Sequence, residues 1–581
     1  MSTLISPFSE LLGTNYIPSN QEREHICQFL AEPEHEAQTV RTKVSQLQKQ
    51  LAEAKTRREE LEATILQHRR LFTPFRRIPD NILSTIFLHS LPHQWNAAIS
   101  ISEPPLRLSY VCKKWRRVAF NTPDLWAALH IASLKSCCGK QTKWKSERHA
   151  SHLQAISQWL GRSGDRPLSV SMDRYLCHFD TYLQFLLSFS HRWFKIRLDV
   201  NDSAISRTLA SISPEDVPVL EVLTLKFRET TAEIQPLWES SGGLMKTKSL
   251  RTVFIRGFPS NLANIGLDWS HLTSLKLCEP HMADCASSPA EAYMIFSTCK
   301  NLVHLTIAIA DPIVAPLQYP FARPGPTLFL PHLQTFSVND RYYFTVLLFR
   351  AIDAPSLNSL FYSTIFWPSP KRPSPLVTLL SRNGGSVHTL TVDPNYMSRE
   401  DLVNCSESAP LLANLVCRPS SIVPSKDERE GLKRLERTGE SIHMQKMLEY
   451  LEPMSDGQCL LPRMQSITIT RYSYESNVIH EDAVLSFLRK RMEAATSRTT
   501  AVEILSLKKV DISLGYFDQK KLDIPSLLAD YTRDGLDLRL TDYFKKIQYT
   551  PTVVADPGVF CQRAGIKSPK PLREYTIYDY D

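Results

Sequence analysis

The chain has 581 residues, and its 68 Lys and Arg against 60 Asp and Glu leave a formal charge of +8. A hydrophobic fraction of 43% with 22% charged residues is typical of a folded globular chain, which excludes a mainly disordered one. The length exceeds what one hydrophobic core supports, so we expect several modules or an array that adds core unit by unit.

The sequence contains no uninterrupted apolar run of the roughly 18 residues that a membrane helix needs, and its first residues are neither basic nor Arg-rich. We therefore expect no membrane-spanning segment, and a protein of the cytoplasm or nucleus. The 12 cysteines form no CxxC pair, which favours reduced thiols over a disulfide framework, and nothing in their spacing predicts a cofactor.

Residues 1–36 contain Pro and Ser without a hydrophobic period, and we expect a flexible lead. A heptad pattern without Gly or Pro then predicts one long helix over 37–72. Three interpretations stay open: a coiled coil that forms a homodimer, a solvated stalk, or a helix packed on its own chain. The seam is mostly apolar, and it consists of Ala37, Val44, Leu51, Arg58, Ile65 and Phe72 at a, and Val40, Leu47, Ala54, Leu61 and His68 at d.

Two shorter helices are predicted after Pro74 and Pro79 end the long one. In both, apolar residues recur at helical spacing and form one stripe to be buried. The first stripe is Ile82, Leu83, Ile86 and Phe87, and the second is Leu108, Val111, Cys112, Trp115, Val118 and Ala119.

Together these segments resemble the F-box, in the arrangement found in F-box proteins of mushroom-forming fungi. The family pattern Leu-Pro-x-Glu-Ile-Leu-x-x-Ile-Phe matches IPDNILSTIF at 78–87, and its Val-Cys-(Lys/Arg)-x-Trp core matches VCKKWRRVA at 111–119. The Pro-x-Leu-Trp end matches PDLW at 123–126. The sequence departs from the pattern at Ile78, which replaces Leu, and at Asn81, which replaces Glu and removes a carboxylate from the first helical turn.

The resemblance implies that residues 74–130 bind the small Skp-type adaptor of cullin–RING ubiquitin ligases. A module of this size cannot bury both helices alone and presents an apolar face to a partner. Trp126 is expected in the core instead. For each apolar residue, the alternative to adaptor contact is the core of the module itself. The residues expected to contact the adaptor are Ile78, Pro79, Ile82, Leu83, Ile86 and Phe87, with Val111, Cys112 and Trp115 expected to be partly structural.

Residues 131–164 are predicted to be a basic helical linker. Its cations, with those of 113–117, raise a nucleic-acid hypothesis, because clustered Lys and Arg attract phosphate. The cations of 113–117 belong to the F-box match and no known reading motif accompanies the cluster, so a solvated face is favoured.

Residues 165–545 carry a recurring L-x-x-L-x-L pattern, typical of leucine-rich repeats, in which each unit is a strand followed by a returning segment. The fold class is therefore predicted as α/β: an N-terminal helix, a small helical F-box and an irregular leucine-rich-repeat-like solenoid. Weaker copies start at Leu168 and Trp193, and a last strand at Leu536. The stronger copies begin at Leu220, Leu250, Leu272, Leu302, Leu333, Leu357, Val387, Met464 and Val502.

The repeat is interrupted at 418–460 by a charged segment, which is either a surface insertion or a disordered loop. A returning helix is predicted over 483–495, and 546–581 is a C-terminal tail without an assigned role. The Asn that usually follows the last Leu of each repeat is mostly absent, so something else must satisfy the backbone between units.

No catalytic motif is found: there is no phosphate-binding GxxxxGK[ST] loop, no GxSxG and no HExxH. His149 and His152 lie three residues apart after Cys137 and Cys138, but we expect surface histidines there and no metal site. We expect no enzyme activity.

Substrate recognition is predicted on the strand residues that point away from the core, one per repeat. Phe254 and Phe361 are the expected anchors, with Lys276 as a further binding residue. The alternative is that insertions cover the strands or that a terminal loop carries the binding. The expected function is the substrate receptor of an SCF-type ubiquitin ligase for an unidentified protein substrate. Two rivals are a non-ligase F-box scaffold and an enzyme whose site has no sequence motif. The outward-pointing residues, one per repeat, form a predicted column across the sheet: Thr224, Phe254, Lys276, Thr306, Ser337, Phe361, Thr391, Thr468 and Ser506.

Overall fold

The computed structural model shows an α/β protein whose chain divides into two compact units, Met1–Thr85 and Ile86–Asp581. Among the described residues, no helix is both long and apolar enough to cross a membrane. The structure describes residues 6–541 except 70–71, 73, 94, 134–142, 174–175, 177, 201–202, 228–237, 239–242, 258–265, 279–286, 310–326, 341–344, 365–373, 419–443, 455–457, 471–478, 480, 497–502 and 514–527.

The first unit is dominated by one helix, Asn20–Arg69, of 50 residues. It starts well before the predicted residue 37, so the expectation of a flexible lead over 1–36 is wrong from residue 20 onward. Ser19 and Glu22 explain the early start: the Ser19 amide donates to the Glu22 carboxylate at 2.8 Å, and the Glu22 amide donates to Ser19 Oγ at 3.4 Å. This reciprocal cap satisfies two donors that an uncapped helix leaves without partners.

None of the residues of this helix is buried. The apolar residues of the predicted seam lie at the surface; Leu47, Leu51 and Ile65 keep 55%, 57% and 50% of their accessible area. Helices of this kind gain little stability from propensity alone and usually bury an apolar face against a partner. The described residues therefore do not support packing of the seam on the same chain.

The first predicted short helix is observed as Asp80–His89. The second is interrupted: it consists of Leu106–Ser109 and Lys113–Phe120, and Val111 and Cys112 lie exposed in the turn between them instead of on a buried stripe. Trp126 is fully buried, and its indole N–H donates to the Ala119 carbonyl at 2.8 Å. Its ring also meets Trp159 edge to face, with centroids 4.9 Å apart. The expectation that Trp126 is a core residue is confirmed.

Fourteen strands among the described residues form one sheet, in which each strand pairs in parallel with its neighbour along the chain. Strands β8 and β10 are not in it; they pair only with each other. The strands are β1 (Ala128–Ile131), β2 (Leu168–Met172), β3 (Trp193–Val200), β4 (Val222–Phe227), β5 (Thr252–Arg256), β6 (Ser274–Lys276), β7 (His304–Ile309), β8 (Leu328–Phe329), β9 (Thr335–Asp340), β10 (Ile352–Asp353), β11 (Ser359–Thr364), β12 (Thr389–Val392), β13 (Asn414–Cys417), β14 (Ser466–Ile469), β15 (Lys509–Ser513) and β16 (Asp537–Thr541).

Helices connect many of these strands, as parallel pairing requires. The predicted helix over 483–495 is confirmed as Glu481–Thr496, with Val484, Leu488 and Met492 buried. The helices between or before strands are Lys143–Arg162, Phe179–Leu187, Ser203–Ser211, Pro289–Thr298, Thr345–Ala351, Pro375–Asn383, Arg399–Ser408, Met444–Leu451, Glu481–Thr496 and Ala529–Arg533.

Backbone hydrogen bonds join neighbouring repeats at the positions where their strands begin. A carbonyl just before one strand accepts two amide N–H groups from the next repeat. The Glu221 carbonyl, for example, accepts from Arg251 at 2.9 Å and from Thr252 at 3.0 Å. The same double acceptance satisfies backbone groups that the missing Asn side chains leave to other partners. It recurs at Arg251, Thr273, Val303, Gln334, Asn358, His388, Ala413 and Gln465.

The predicted repeat copies fall on β4 to β7, β9, β11, β12 and β14, but the copy at Val502 is misplaced. The observed strand is β15, with Leu507, Val510 and Ile512 buried, five residues later than predicted. The copy at Leu412, which forms β13, was missed.

The sheet also starts earlier than residue 165. Strand β1 lies inside the segment predicted as F-box and linker, and it pairs with β2. The predicted linker helix is Lys143–Arg162, whose residues Ile156, Trp159 and Leu160 are buried, so it is a packed connection between strands and not only a solvated linker.

The predicted insertion over 418–460 contains a helix, Met444–Leu451, while 419–443 and the tail over 546–581 lie outside the described residues. Arg491, whose side chain is fully buried, holds the end of this helix by hydrogen bonds. The guanidinium donates to the carbonyls of Leu451 at 2.9 Å, Leu460 at 3.1 Å and Leu461. Burial lowers the pKa of Arg491. The Arg491 side chain therefore links the end of the helix Met444–Leu451 and the segment after it to the helix Glu481–Thr496.

Candidate partner-binding surfaces

Helix Asp80–His89 divides its apolar residues between the core and the surface. Leu83 and Phe87 are fully buried, whereas Ile82 and Ile86 keep 50% and 40% of their accessible area. The prediction that Leu83 and Phe87 contact an adaptor is therefore wrong, because side chains without accessible surface belong to the core. Ile82 and Ile86 lie four residues apart on one side of the helix and remain candidates.

The start of helix Lys113–Phe120 explains two further predicted residues. Cys112 caps this helix: its Sγ accepts the Trp115 amide N–H at 3.5 Å. The Trp115 ring is half-buried against Phe87, with ring centroids 4.9 Å apart. Cys112 is exposed but has a structural task, and Trp115 is mainly a packing residue.

The turn between the helices Leu106–Ser109 and Lys113–Phe120 is an exposed apolar part of this region. Val111 keeps 56% of its accessible area and Tyr110 keeps 66%. Tyr110 was not predicted as a partner-binding residue. Its position directly before Val111 and Cys112 of the second matching motif could have indicated it. Pro79 is exposed and Ile78 is half-buried. The surface candidates are therefore Ile78, Pro79, Ile82 and Ile86 with Tyr110 and Val111.

A second surface is the side of the parallel sheet opposite to the buried strand residues, which we call the polar face. Phe254 and Lys276 lie next to each other in register on β5 and β6, in line with Thr224 on β4. Phe361 on β11 lies on the same face. Both aromatic rings are half-buried, not fully exposed as predicted.

The observed register corrects the predicted column on this face. Asp511 replaces Ser506, and Val416 is added, because the last repeat was misplaced and one was missed. Ser337 is 9% exposed, so part of the column near β9 is covered. Burial raises the pKa of the Asp511 carboxyl, and neighbouring Arg539 and Lys509 oppose this shift.

A cluster of histidines surrounds Tyr182 on the helix Phe179–Leu187. Nδ1 of His149 and Nδ1 of His152 lie 2.9 Å and 3.0 Å from the tyrosine hydroxyl oxygen, and the His149 ring meets that of His178 with centroids 4.6 Å apart. Burial lowers the pKa of both His149 and His152, so both imidazoles favour the neutral form.

No group of three or more His, Cys, Asp or Glu in the described part of the chain is placed to hold a metal ion. Cys137 and Cys138 lie outside the described residues. Burial raises the pKa of the Cys299 thiol to about 12, and it also raises the pKa of the thiols of Cys405 and Cys417. These three thiols stay protonated at neutral pH and are poor nucleophiles.

A cavity of about 200 Å³ lies where the segment 91–97 meets the first strands of the sheet. Trp95, His93 and Lys195 line it together with Asn96 and Ser169. The Ser169 hydroxyl donates to Asn96 Oδ1 at 2.8 Å, and the Asn96 amide donates to Ser171 Oγ at 3.1 Å. This is a small cavity with both polar and apolar lining residues at one end of the polar face.

No protein-family model matches the chain, and no curated protein matches it.

Proposed function

We propose that the chain is the substrate-recognition subunit of an SCF-type cullin–RING ubiquitin ligase. In this proposal, residues 74–130 are an F-box that binds a Skp-type adaptor, and the strands with their connecting helices are a leucine-rich-repeat-like array that holds a protein substrate. The chain performs no chemistry, because other subunits transfer ubiquitin.

The observation that carries the proposal is the division of helix Asp80–His89, whose sequence resembles the F-box. Its stripe is wider than the core requires: Leu83 and Phe87 are buried, while Ile82 and Ile86 stay at the surface. Exposed apolar residues at i and i+4 beside a filled core are typical of a face that a partner covers. Val111 adds exposed apolar area at the start of the second matching motif.

The parallel sheet supports the second half of the proposal. Its polar face presents one side chain per strand at each register position, and backbone groups are satisfied within the ladder. Such a surface offers side chains and few backbone groups to a ligand, which suits recognition of a folded or extended protein segment.

The test is co-purification with the tagged full chain. Wild type is expected to capture both adaptor and cullin, and Ile82→Asp to capture neither, because a charge in a closed apolar interface has no partner. Val219→Asp is the matched control, since Val219 is 40% exposed and lies outside the matching motifs. Adaptor without cullin would favour the non-ligase scaffold, and absence of the adaptor from wild type would contradict the proposal.

A separate experiment tests substrate recognition on the polar face. Phe254→Ala with Phe361→Ala is expected to change the set of captured proteins while adaptor capture stays the same. An unchanged set, with the variant folded, would place substrate recognition elsewhere.

A further inference from the structure

On four neighbouring strands of the polar face, positive charges outnumber negative ones. Outward positions of β3 to β6 carry five cations and one carboxylate, Asp199, which lies beside Lys226 in register. The neighbouring β2 is followed by Asp173, which is buried and accepts the Ser133 amide N–H at 3.2 Å. The five cations are Lys195, Arg197, Lys226, Arg256 and Lys276.

The strands further along the sheet provide the contrast. The outward positions of β7, β9, β11, β12, β13 and β14 contain no Lys, Arg, Asp or Glu. They contain Thr, Ser, Asn, His304, Ala308, Val416 and Phe361. On β15 and β16 the charges balance, because Lys509 and Arg539 accompany Asp511 and Asp537. Because these strands share one register with β3 to β6, the charge difference is a property of the surface and not of the repeat pattern.

Phe254 lies at the centre of the basic strands. The ammonium groups of Lys276 and Lys226 lie 4.8 Å and 5.5 Å from its ring centroid, within the range of cation–π contacts. These contacts hold two lysines of different strands close to one point of the sheet. They also occupy the ring, so Phe254 is poorly placed to stack on a nucleic-acid base.

The cavity at the start of the sheet adjoins the same strands. Lys195 of β3 lines it with Trp95, which is 37% exposed. Arg197 lies two residues further along β3 and is exposed. The cations thus begin at a partly apolar cavity and continue to β6, over about 14 Å at the usual strand spacing.

We propose that β3 to β6 bind an extended protein segment rich in Asp and Glu, with an apolar side chain of the segment near the Trp95 cavity. The cations are spread over several strands and do not converge on one point, which fits successive carboxylates better than a single phosphate group. The inference deepens the proposed function, since the segment would belong to the substrate.

The experiment measures fluorescence anisotropy of a labelled peptide rich in Glu and Asp, with one Leu, against the full chain. The control peptide has Gln and Asn in place of every acid. The acidic peptide is expected to bind, to bind more weakly as salt is raised, and to lose at least about tenfold in affinity with Lys195→Glu and Arg197→Glu together. Arg207→Glu with Lys300→Glu is the matched control, because both cations are exposed and lie outside the strands. It should bind like wild type.

Equal binding of the two peptides, no binding of the acidic peptide, or equal loss in both double variants would overturn the proposal. Tighter binding of a single-stranded oligonucleotide that displaces the peptide would also overturn it, in favour of nucleic acid. Adaptor affinity of the Lys195 and Arg197 variant is measured in parallel. Unchanged adaptor binding with lost peptide binding separates this inference from the proposed ligase role.

Discussion

Leu83 and Ile82 are neighbours in sequence, but the structure assigns them different roles, which two Ala substitutions separate. Leu83 is fully buried, and a Leu→Ala change at such a site costs about 3 kcal/mol or more, because transfer energy and cavity energy add. Ile82 is half exposed, so Ile82→Ala loses about 1 kcal/mol at most, partly offset by the higher helix propensity of Ala.

Hydrogen exchange of the amides in helix Asp80–His89 measures this difference locally. If this helix opens as part of the structure that Leu83 stabilises, Leu83→Ala should speed exchange about a hundredfold, since 1.4 kcal/mol corresponds to a factor of ten. Ile82→Ala should speed it less than about fivefold. Similar acceleration in both variants would refute the division of the helix into a core side and a partner side.

Three further predictions follow from other parts of the fold. Arg491→Met leaves three carbonyls without their donor and should cost about 3 kcal/mol or more, because each buried group that loses its partner costs about 1–3 kcal/mol. The denaturation midpoint should fall, and an unchanged midpoint would contradict the role of Arg491. Because the fold lowers the pKa of His149 and His152, their contribution to stability is complete when the pH is above the ordinary histidine pKa of about 6.5. It is lost as the pH falls from there through the lowered pKa values. The melting temperature should therefore fall with acidification, and less so when both histidines are changed to Gln; equal pH dependence would exclude their role. Finally, the exposed seam of Asn20–Arg69 predicts self-association, so sedimentation should show mass rising with concentration for wild type but not for Leu51→Asp, and a monomer throughout would leave the solvated stalk.

Helices and strands were predictable wherever one period dominated the local sequence. The copy at Val502 was misplaced because Leu507 fits two patterns. It is the last apolar residue of the predicted copy and the first apolar residue of the observed one. The copy at Leu412 ends in Cys417 instead of an aliphatic residue and directly precedes the insertion, so it was passed over. Only pairing with neighbouring strands fixes such a register.

The beginning of the long helix was available in the sequence but was not used. Ser19 and Glu22 form the S-x-x-E pattern of a helix start, and the absence of an apolar period over the following residues concealed it. Pro33 lies inside the helix and argued against it locally.

The two surfaces were predictable only in part, for geometric reasons. A stripe at i, i+1, i+4 and i+5 shows that helix Asp80–His89 is amphipathic, but it does not tell which edge, Leu83 or Ile82, reaches the core. On the sheet, Lys276 was identified from its repeat position, whereas its approach to Phe254 depends on the parallel register between strands. The grouping of cations on β3 to β6 has the same origin.

The most direct test of the account is the affinity of the purified full chain for a purified Skp-type adaptor, measured by calorimetry. The full chain is needed because Trp126 packs on Trp159 and β1 pairs with β2, so residues 74–130 share their core with the following segment. We expect wild type and Val219→Asp to bind equally and Ile82→Asp to lose about a hundredfold or more in affinity. No binding by wild type, or equal binding by Ile82→Asp, would contradict the account.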